Sequence, residues 1–148
     1  MSEALEIPTD IKSRVSEEEW KTREDLAAAY RLVAHYGWDD MVFTHLSARV
    51  QGPDEHFLLN PFGVLFEEVT ASSLVKIDLD GAVVLDNGYQ VNAAGFTIHS
   101  AIHGAREDAQ AVMHLHTDAG VAVSCMKEGF LPLNQHAMFV YHLSLIHI

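Results

Sequence analysis

The chain has 148 residues, enough for one domain with its own buried core and too few for two. Its 9 Lys+Arg against 21 Asp+Glu give a formal charge of −12, and a surface that acidic argues against a nucleic-acid or membrane-surface binder. One cysteine, Cys125, rules out an intramolecular disulfide and fits a reducing compartment; with no basic segment before an apolar run at the start, and no apolar stretch of ~20 residues, the expected location is the cytoplasm.

Residues 1–15 are polar, broken by Pro8, and read as an extended or mobile arm. A helix then starts at Ser16, whose spacing to Glu19 is that of a capping box; Glu17 to Glu19 sit where the helix dipole favours negative charge. Leu26, Tyr30, Val33 and Ala34 share one face, and Gly37 ends the helix. From Met41 the period becomes two. Val42 to Val50 is a predicted strand, Gly52-Pro53-Asp54 a turn, and His56 to Asn60 the returning strand. After the Asn60-Pro61-Phe62-Gly63 loop and a short polar connection at Thr70 to Ser73, Leu74 to Leu79 and Ala82 to Leu85 form a hairpin about Asp80-Gly81. Asn92 to Arg106 is a second long helix, Ala111 to His116 a buried strand, and a third helix runs from Thr117 or Asp118 to about Met126. Cys125, on that apolar run, is expected to be buried and inert. Leu131 to Leu133 is a short extended piece. Residues 16–141 thus form the domain, and 142–148 read as an atypical, foreign-looking tail that ends in mid-pattern. Hairpins followed by strands separated by helices indicate an α/β or α+β sandwich.

Ten histidines are many for this length, and their spacing narrows what they do. His114 and His116 flank Leu115 on the last predicted strand, where alternate side chains share a face. Residues two apart lie ~6–7 Å from each other, near enough for two imidazoles to converge on one metal at ~2.0–2.1 Å. The alternative is a pair of packed or solvated histidines, since a catalytic zinc normally takes three protein ligands. His99 and His103, one helical turn apart, also share a face and read as core or surface histidines. His35, His56, His136, His142 and His147 show no local metal pattern.

Longer strings add to this. Asn92-Ala93-Ala94-Gly95-Phe96-Thr97-Ile98-His99-Ser100-Ala101-Ile102-His103, Val112-Met113-His114-Leu115-His116-Thr117 and Ala119-Gly120-Val121-Ala122-Val123-Ser124 resemble the class II aldolase/adducin family, nearer its adducin-like branch. Phe43-Thr44-His45-Leu46-Ser47-Ala48-Arg49 and Asn60-Pro61-Phe62-Gly63 match upstream in the same order, so the resemblance runs from about Glu24 to about Tyr141. It implies a three-layer αβα sandwich around a mainly antiparallel or mixed sheet, often assembled as a homotetramer. It implies a divalent metal, zinc foremost, with His114 and His116 as the first two ligands and a third histidine from a downstream motif absent from this sequence. The implied chemistry is that of a lyase: Lewis-acid activation of a small hydroxy-carbonyl substrate, with stabilisation of the enediolate that forms as a C–C bond breaks.

The chain departs from the aldolases at several positions. Gly95 stands where their acid/base glutamate aligns, Ala93 and Ala94 replace a small polar pair that holds phosphate, and Thr44-His45 replaces the glycine-asparagine of the phosphate loop. No catalytic residue is therefore assigned. His45 is a candidate replacement for proton transfer, and His45, Asn60, Gly63 and Asn92 are substrate-binding candidates by resemblance. Asn60, Gly63 and Asn92 also have reasons to be there as turn formers and a helix cap. A second reading is an adducin-like, non-enzymatic module that binds actin filaments in the cytoskeleton, against which stand the −12 charge and the lack of a basic tail. A third is an inactive fragment, whose exposed apolar surface would favour oligomers or aggregation.

Overall fold

The computed structural model describes residues 10–141. Helix α1 spans Glu17–His35, and strands β1 (His45–Arg49), β2 (Phe57–Leu59), β3 (Val75–Ile77) and β4 (Val83–Leu85) follow. Helix α2 (Ala93–Ala105), strand β5 (Ala111–His114) and two short helices, α3 (Asp118–Ser124) and α4 (Gln135–Val140), complete the order. The strands form one sheet in the order β4-β3-β2-β1-β5, every neighbouring pair antiparallel.

The alternation along β1 builds the three layers. Leu46, Ala48 and Val50 pack on one face of the sheet with Leu26, Ala27, Tyr30 and Val33 of α1. On the other face Ser47 bonds His99 of α2, while Phe57, Leu59, Val75 and Ile77 pack with Phe96. The chain is thus an αβα sandwich, as the resemblance implied. Tyr30 ties the α1 layer to the sheet: its hydroxyl contacts the Leu46 carbonyl, accepts from the Leu46 amide at 2.8 Å and lies 3.0 Å from Asn60 Oδ1. Gly37, at φ 65, takes the left-handed conformation that stops α1 and donates its N–H to the Ala34 carbonyl at 3.0 Å.

The start of α1 differs from the expected capping box. Ser16 does accept from the Glu19 amide at 3.1 Å. The Glu19 carboxylate turns inward instead of back to the cap: Oε1 accepts from Arg23 Nε at 2.9 Å and Oε2 from Lys76 Nζ at 2.8 Å. Glu19 is a buried ion-pair partner joining α1 to β3, beyond its place in the helix dipole.

Other differences have local causes. Ile11 is wholly buried and Arg14 donates to the Asp86 carbonyl at 2.9 Å, so residues 10–14 pack against the body and are no free arm. The expected strand at Val42 begins only at His45, because residues 41–43 turn, with the Phe43 N–H bonded to the Asp40 carbonyl at 2.9 Å. Strand β5 is not buried: among the described residues it pairs with β1 alone, at the sheet edge, and leaves Met113 exposed. Cys125 is exposed at the C-terminal cap of α3, correcting its expected burial. Helix α4 was not foreseen, although Asn134 caps it by accepting from the Ala137 amide at 2.9 Å. The tail expected at 142–148 lies outside the described residues.

Candidate functional site

The edge position of β5 brings His114 opposite His45, its cross-strand partner on β1. His116 lies just past the end of β5, and Leu115 points the other way, into the α1-side core. The two imidazoles meet: His114 Nε2 and His116 Nε2 are 3.2 Å apart, with the rings at 81°. Two nitrogens at ~2.0–2.1 Å from a tetrahedral zinc stand ~3.3 Å from each other, so this pair has the bite of a two-histidine chelate.

Each imidazole is held from behind. His116 Nδ1 lies 2.9 Å from Asp40 Oδ2, the carboxylate–histidine arrangement that turns the opposite nitrogen's lone pair outward. Asp40 sits in a tight turn: its amide donates to Thr44 Oγ1 at 3.3 Å, and the next residue, Met41, has a left-handed φ of 46. A side chain other than glycine there costs of the order of 1 kcal/mol, strain stored next to the site. Sequence reasoning missed Asp40, because its partner is 76 positions away and nothing local marks it. Behind His114 stands His45, Nδ1 to Nδ1 at 3.5 Å, long for a hydrogen bond, with the rings stacked.

His45 is 2% exposed. Burial pushes its pKa down to about 4, helped by repulsion from His114 and His116; burial, then His116, likewise lowers that of His114. These imidazoles are neutral at pH 7, the state in which they can be ligands. Beneath His45, on α2, lies Gly95. A Cβ on Gly95 would meet His45 Cδ2 at 2.8 Å and Nε2 at 3.1 Å. The His45 ring thus fills the space that any side chain at position 95 needs, so the glycine and the histidine are two halves of one packing choice. Gly95→Ala is expected to destabilise the protein by about 1–3 kcal/mol through overpacking, and by much less in a His45→Ala background. Thermal melts of the two singles and the double would show this; equal losses in both backgrounds would refute the coupling.

The other candidates lie apart. Asn60 is buried, its amide donating to the Tyr30 hydroxyl at 3.2 Å. Gly63, at φ 81, sits in an exposed loop, and Asn92 caps α2 by accepting from the Ala94 amide at 3.0 Å. The Phe62 N–H donates to the Gln90 carbonyl at 2.7 Å, which sets that loop against the segment entering α2. His99 and His103 are fully buried core histidines. Among the described residues no group of three or more His, Cys, Asp or Glu side chains is arranged to hold a metal, so the pair is a partial cage. The cleft lined by Lys12, Trp20 and Glu24 is at the start of α1 and contains none of these histidines.

An antiparallel sheet between two helices is a fold that known proteins share. The chain belongs to the class II aldolase and adducin N-terminal domain family, which matches residues 24–147. It is 64% identical over 135 residues to a Caulobacter vibrioides protein grouped by name with the class 2 aldolases, covering 90% of this chain and 52% of that one. It is 53% identical over 116 residues to alpha-adducin of Rattus norvegicus, covering 76% of this chain and 16% of adducin. Among solved structures, L-fuculose 1-phosphate aldolase from Glaciozyma antarctica superposes with a TM-score of 0.75 at 38% identity, covering 84% of this chain and 51% of that one. The chain spans about half the length of the first curated relatives it matches.

Proposed function

We propose that the protein is a divalent-metal-dependent lyase-type enzyme acting on a small hydroxy-carbonyl substrate, with His114 and His116 as two of the metal ligands. The observation that carries this is the 3.2 Å separation of the two Nε2 atoms, combined with the Asp40 carboxylate behind His116. A scaffold has no need to aim two imidazoles at one point, whereas a metal does. Zinc is the first choice for a two-imidazole set, with manganese, iron and cobalt compatible with the same donors. A bound cation would supply Lewis-acid polarisation of a carbonyl and its neighbouring hydroxyl. The chain's own residues would hold it: His114 and His116 as donors, with Asp40 behind His116; His45, Asn60, Gly63 and Asn92 stay substrate-binding candidates by family resemblance alone. The acid/base group stays unassigned, because Gly95 offers none. A cytoplasmic homo-oligomer, a tetramer by family resemblance, belongs to the same reading.

A non-enzymatic, adducin-like interaction module is the second reading, favoured by the 53% identity to alpha-adducin and by the His45–Gly95 packing, which leaves no room for an acid/base side chain at position 95. The formal charge of −12 counts against an acidic filament as partner. Elemental analysis after incubation with zinc or manganese separates the two. Near-stoichiometric metal that is lost in a His114→Ala, His116→Ala variant supports the enzyme and justifies a substrate screen. Absence of metal under both conditions, from this chain and from a longer form that carries the family's downstream histidine motif, would remove the enzyme reading.

A further inference from the structure

Behind the histidine pair lies a buried polar file that the metal reading alone does not use. It starts at a backbone carbonyl. His103 Nδ1 is 3.2 Å from the Ala109 carbonyl oxygen, and a carbonyl only accepts, so His103 carries its proton on Nδ1. In the neutral ring Nε2 is then an acceptor, and the group 2.8 Å from it, the Ser47 hydroxyl, must donate. Having given its one proton to His103, Ser47 Oγ can only accept from His99 Nδ1, 2.5 Å away. His99 is thereby left with a lone pair on Nε2, and that atom is buried without a hydrogen-bond partner among the described residues. The second imidazole nitrogen in that position is His45 Nε2, also buried and unpartnered, on a ring whose centroid is 6.0 Å from that of His99.

The two orphans are complementary. A proton on His45 Nε2 satisfies the lone pair of His99 Nε2, directly after a small ring rotation or through one water. It also leaves His45 Nδ1 as an acceptor, facing His114 Nδ1 at 3.5 Å. His114 then carries its proton on Nδ1 and turns a lone pair out on Nε2, the atom that meets His116 Nε2. We infer that the file Ala109 carbonyl–His103–Ser47–His99–His45 is a one-way hydrogen-bond chain that fixes the tautomer and orientation of His114, and that His45, His99, His103 and Ser47 are positioning residues for the metal. The inference rests on the metal reading above and extends it by assigning His114 a support as specific as the one Asp40 gives His116. It also gives a reason for the pairing of His45 with Gly95: the ring that links core to ligand occupies the space above the glycine.

Long-range ¹H–¹⁵N correlation of the histidine rings in the ¹⁵N-labelled chain reads each tautomer directly. Before zinc is added, His103 and His99 are expected with the proton on Nδ1 and His45 with it on Nε2; with zinc, His114 is expected with its proton on Nδ1. Zinc affinity, measured by competition with a chromophoric chelator, should fall about ten- to a hundredfold in Ser47→Ala, the range for removing support behind a metal ligand, and recover in Ser47→Thr. His99 or His45 in the opposite tautomer would overturn the chain, and that reading stands even where Ser47→Ala fails to fold. A folded Ser47→Ala protein with unchanged zinc affinity would also overturn it, while zinc loss in the His114→Ala, His116→Ala variant would show the metal site itself intact as a conclusion. Failure of a longer form that carries the downstream histidine motif to bind zinc removes the metal reading, which is distinguishable because the tautomers of His45, His99 and His103 are read without metal.

Discussion

Stability should fall steeply as pH drops from 7 to 5, by about 3 kcal/mol per pH unit below pH 6.5. Two fully buried histidines of α2 contribute most of this, with buried His45 of β1 adding to it in the same direction. His99 has its pKa pushed down from 6.5 to about 3, first by burial and then by His45, His103 and His114; His103 is pushed down to about 4, first by burial and then by the Arg49 charge. In the unfolded chain both return to about 6.5. Below that pH the unfolded state binds protons that the folded state refuses, so stability is complete above pH ~6.5 and is lost as pH falls towards 4. Each group contributes up to ~1.4 kcal/mol per pH unit, and two together reach ~4 kcal/mol by pH 5, a large part of the ~5–15 kcal/mol of a typical domain. Urea titrations at pH 7.5, 6 and 5 measure the slope. A profile flat across that range would show that the two imidazoles are charged or solvated in the folded state. His103→Gln should remove its own share of ~1.4 kcal/mol per pH unit and leave the remainder to His99 and to His45, whose pKa is also held down at about 4.

How much of this was readable in advance depends on the range over which each signal acts. Helix α1 was legible because its Ser16 cap, the stripe of Leu26, Tyr30 and Val33, and the Gly37 stop are all local. The β3–β4 hairpin was equally local: Gly81 takes φ 87 and its N–H bonds the Asp78 carbonyl at 3.2 Å. The convergence of His114 and His116 followed from strand alternation, and the structure sets their Nε2 atoms 3.2 Å apart. The groups behind them were not legible, for two physical reasons. Asp40 and His45 reach the pair only through the fold, across 76 and 69 positions, and single-sequence periodicity carries no information over that span. Gly95 was visible as a missing glutamate, whereas its close approach to His45 is a packing fact between α2 and β1. The burial of β5 was misjudged from a related cause. Ala111 to His116 reads as a buried strand, but β5 lies at the sheet edge with β1 as its single described partner.

The Glu19–Arg23 pair tests the other side of the sandwich, and its two members are expected to behave unequally. Arg23 is fully buried; its guanidinium bonds Glu19 and donates through Nη1 to the Leu74 carbonyl at 2.8 Å and the Ala71 carbonyl at 3.1 Å. Burial is the main influence on it and pulls its pKa down from the ordinary guanidinium range, an effect Glu19 opposes. Glu19→Ala removes that counter-charge from a buried site and leaves a buried cation, a change that costs about 3–5 kcal/mol. For a chain of this length that is a drop of roughly 10–15 °C in Tm. Arg23→Met should cost less, because what it leaves behind keeps partners: Lys76 Nζ still bonds Glu19 Oε2 at 2.8 Å, and Asn87 Nδ2 still donates to the Leu74 carbonyl at 3.0 Å. Joining the two as Glu19→Leu, Arg23→Met removes the Arg23 charge with its partner and should recover part of the loss seen in Glu19→Ala, the rest being Lys76, left without Glu19 Oε2. Thermal melts of the three variants decide it. If the double variant is as unstable as the sum of the singles, the pair acts as two independent anchors, Glu19 to β3 and Arg23 to the 71–74 turn. A double variant near the unaltered protein would show that the Glu19–Arg23 ion pair within α1 is replaceable packing.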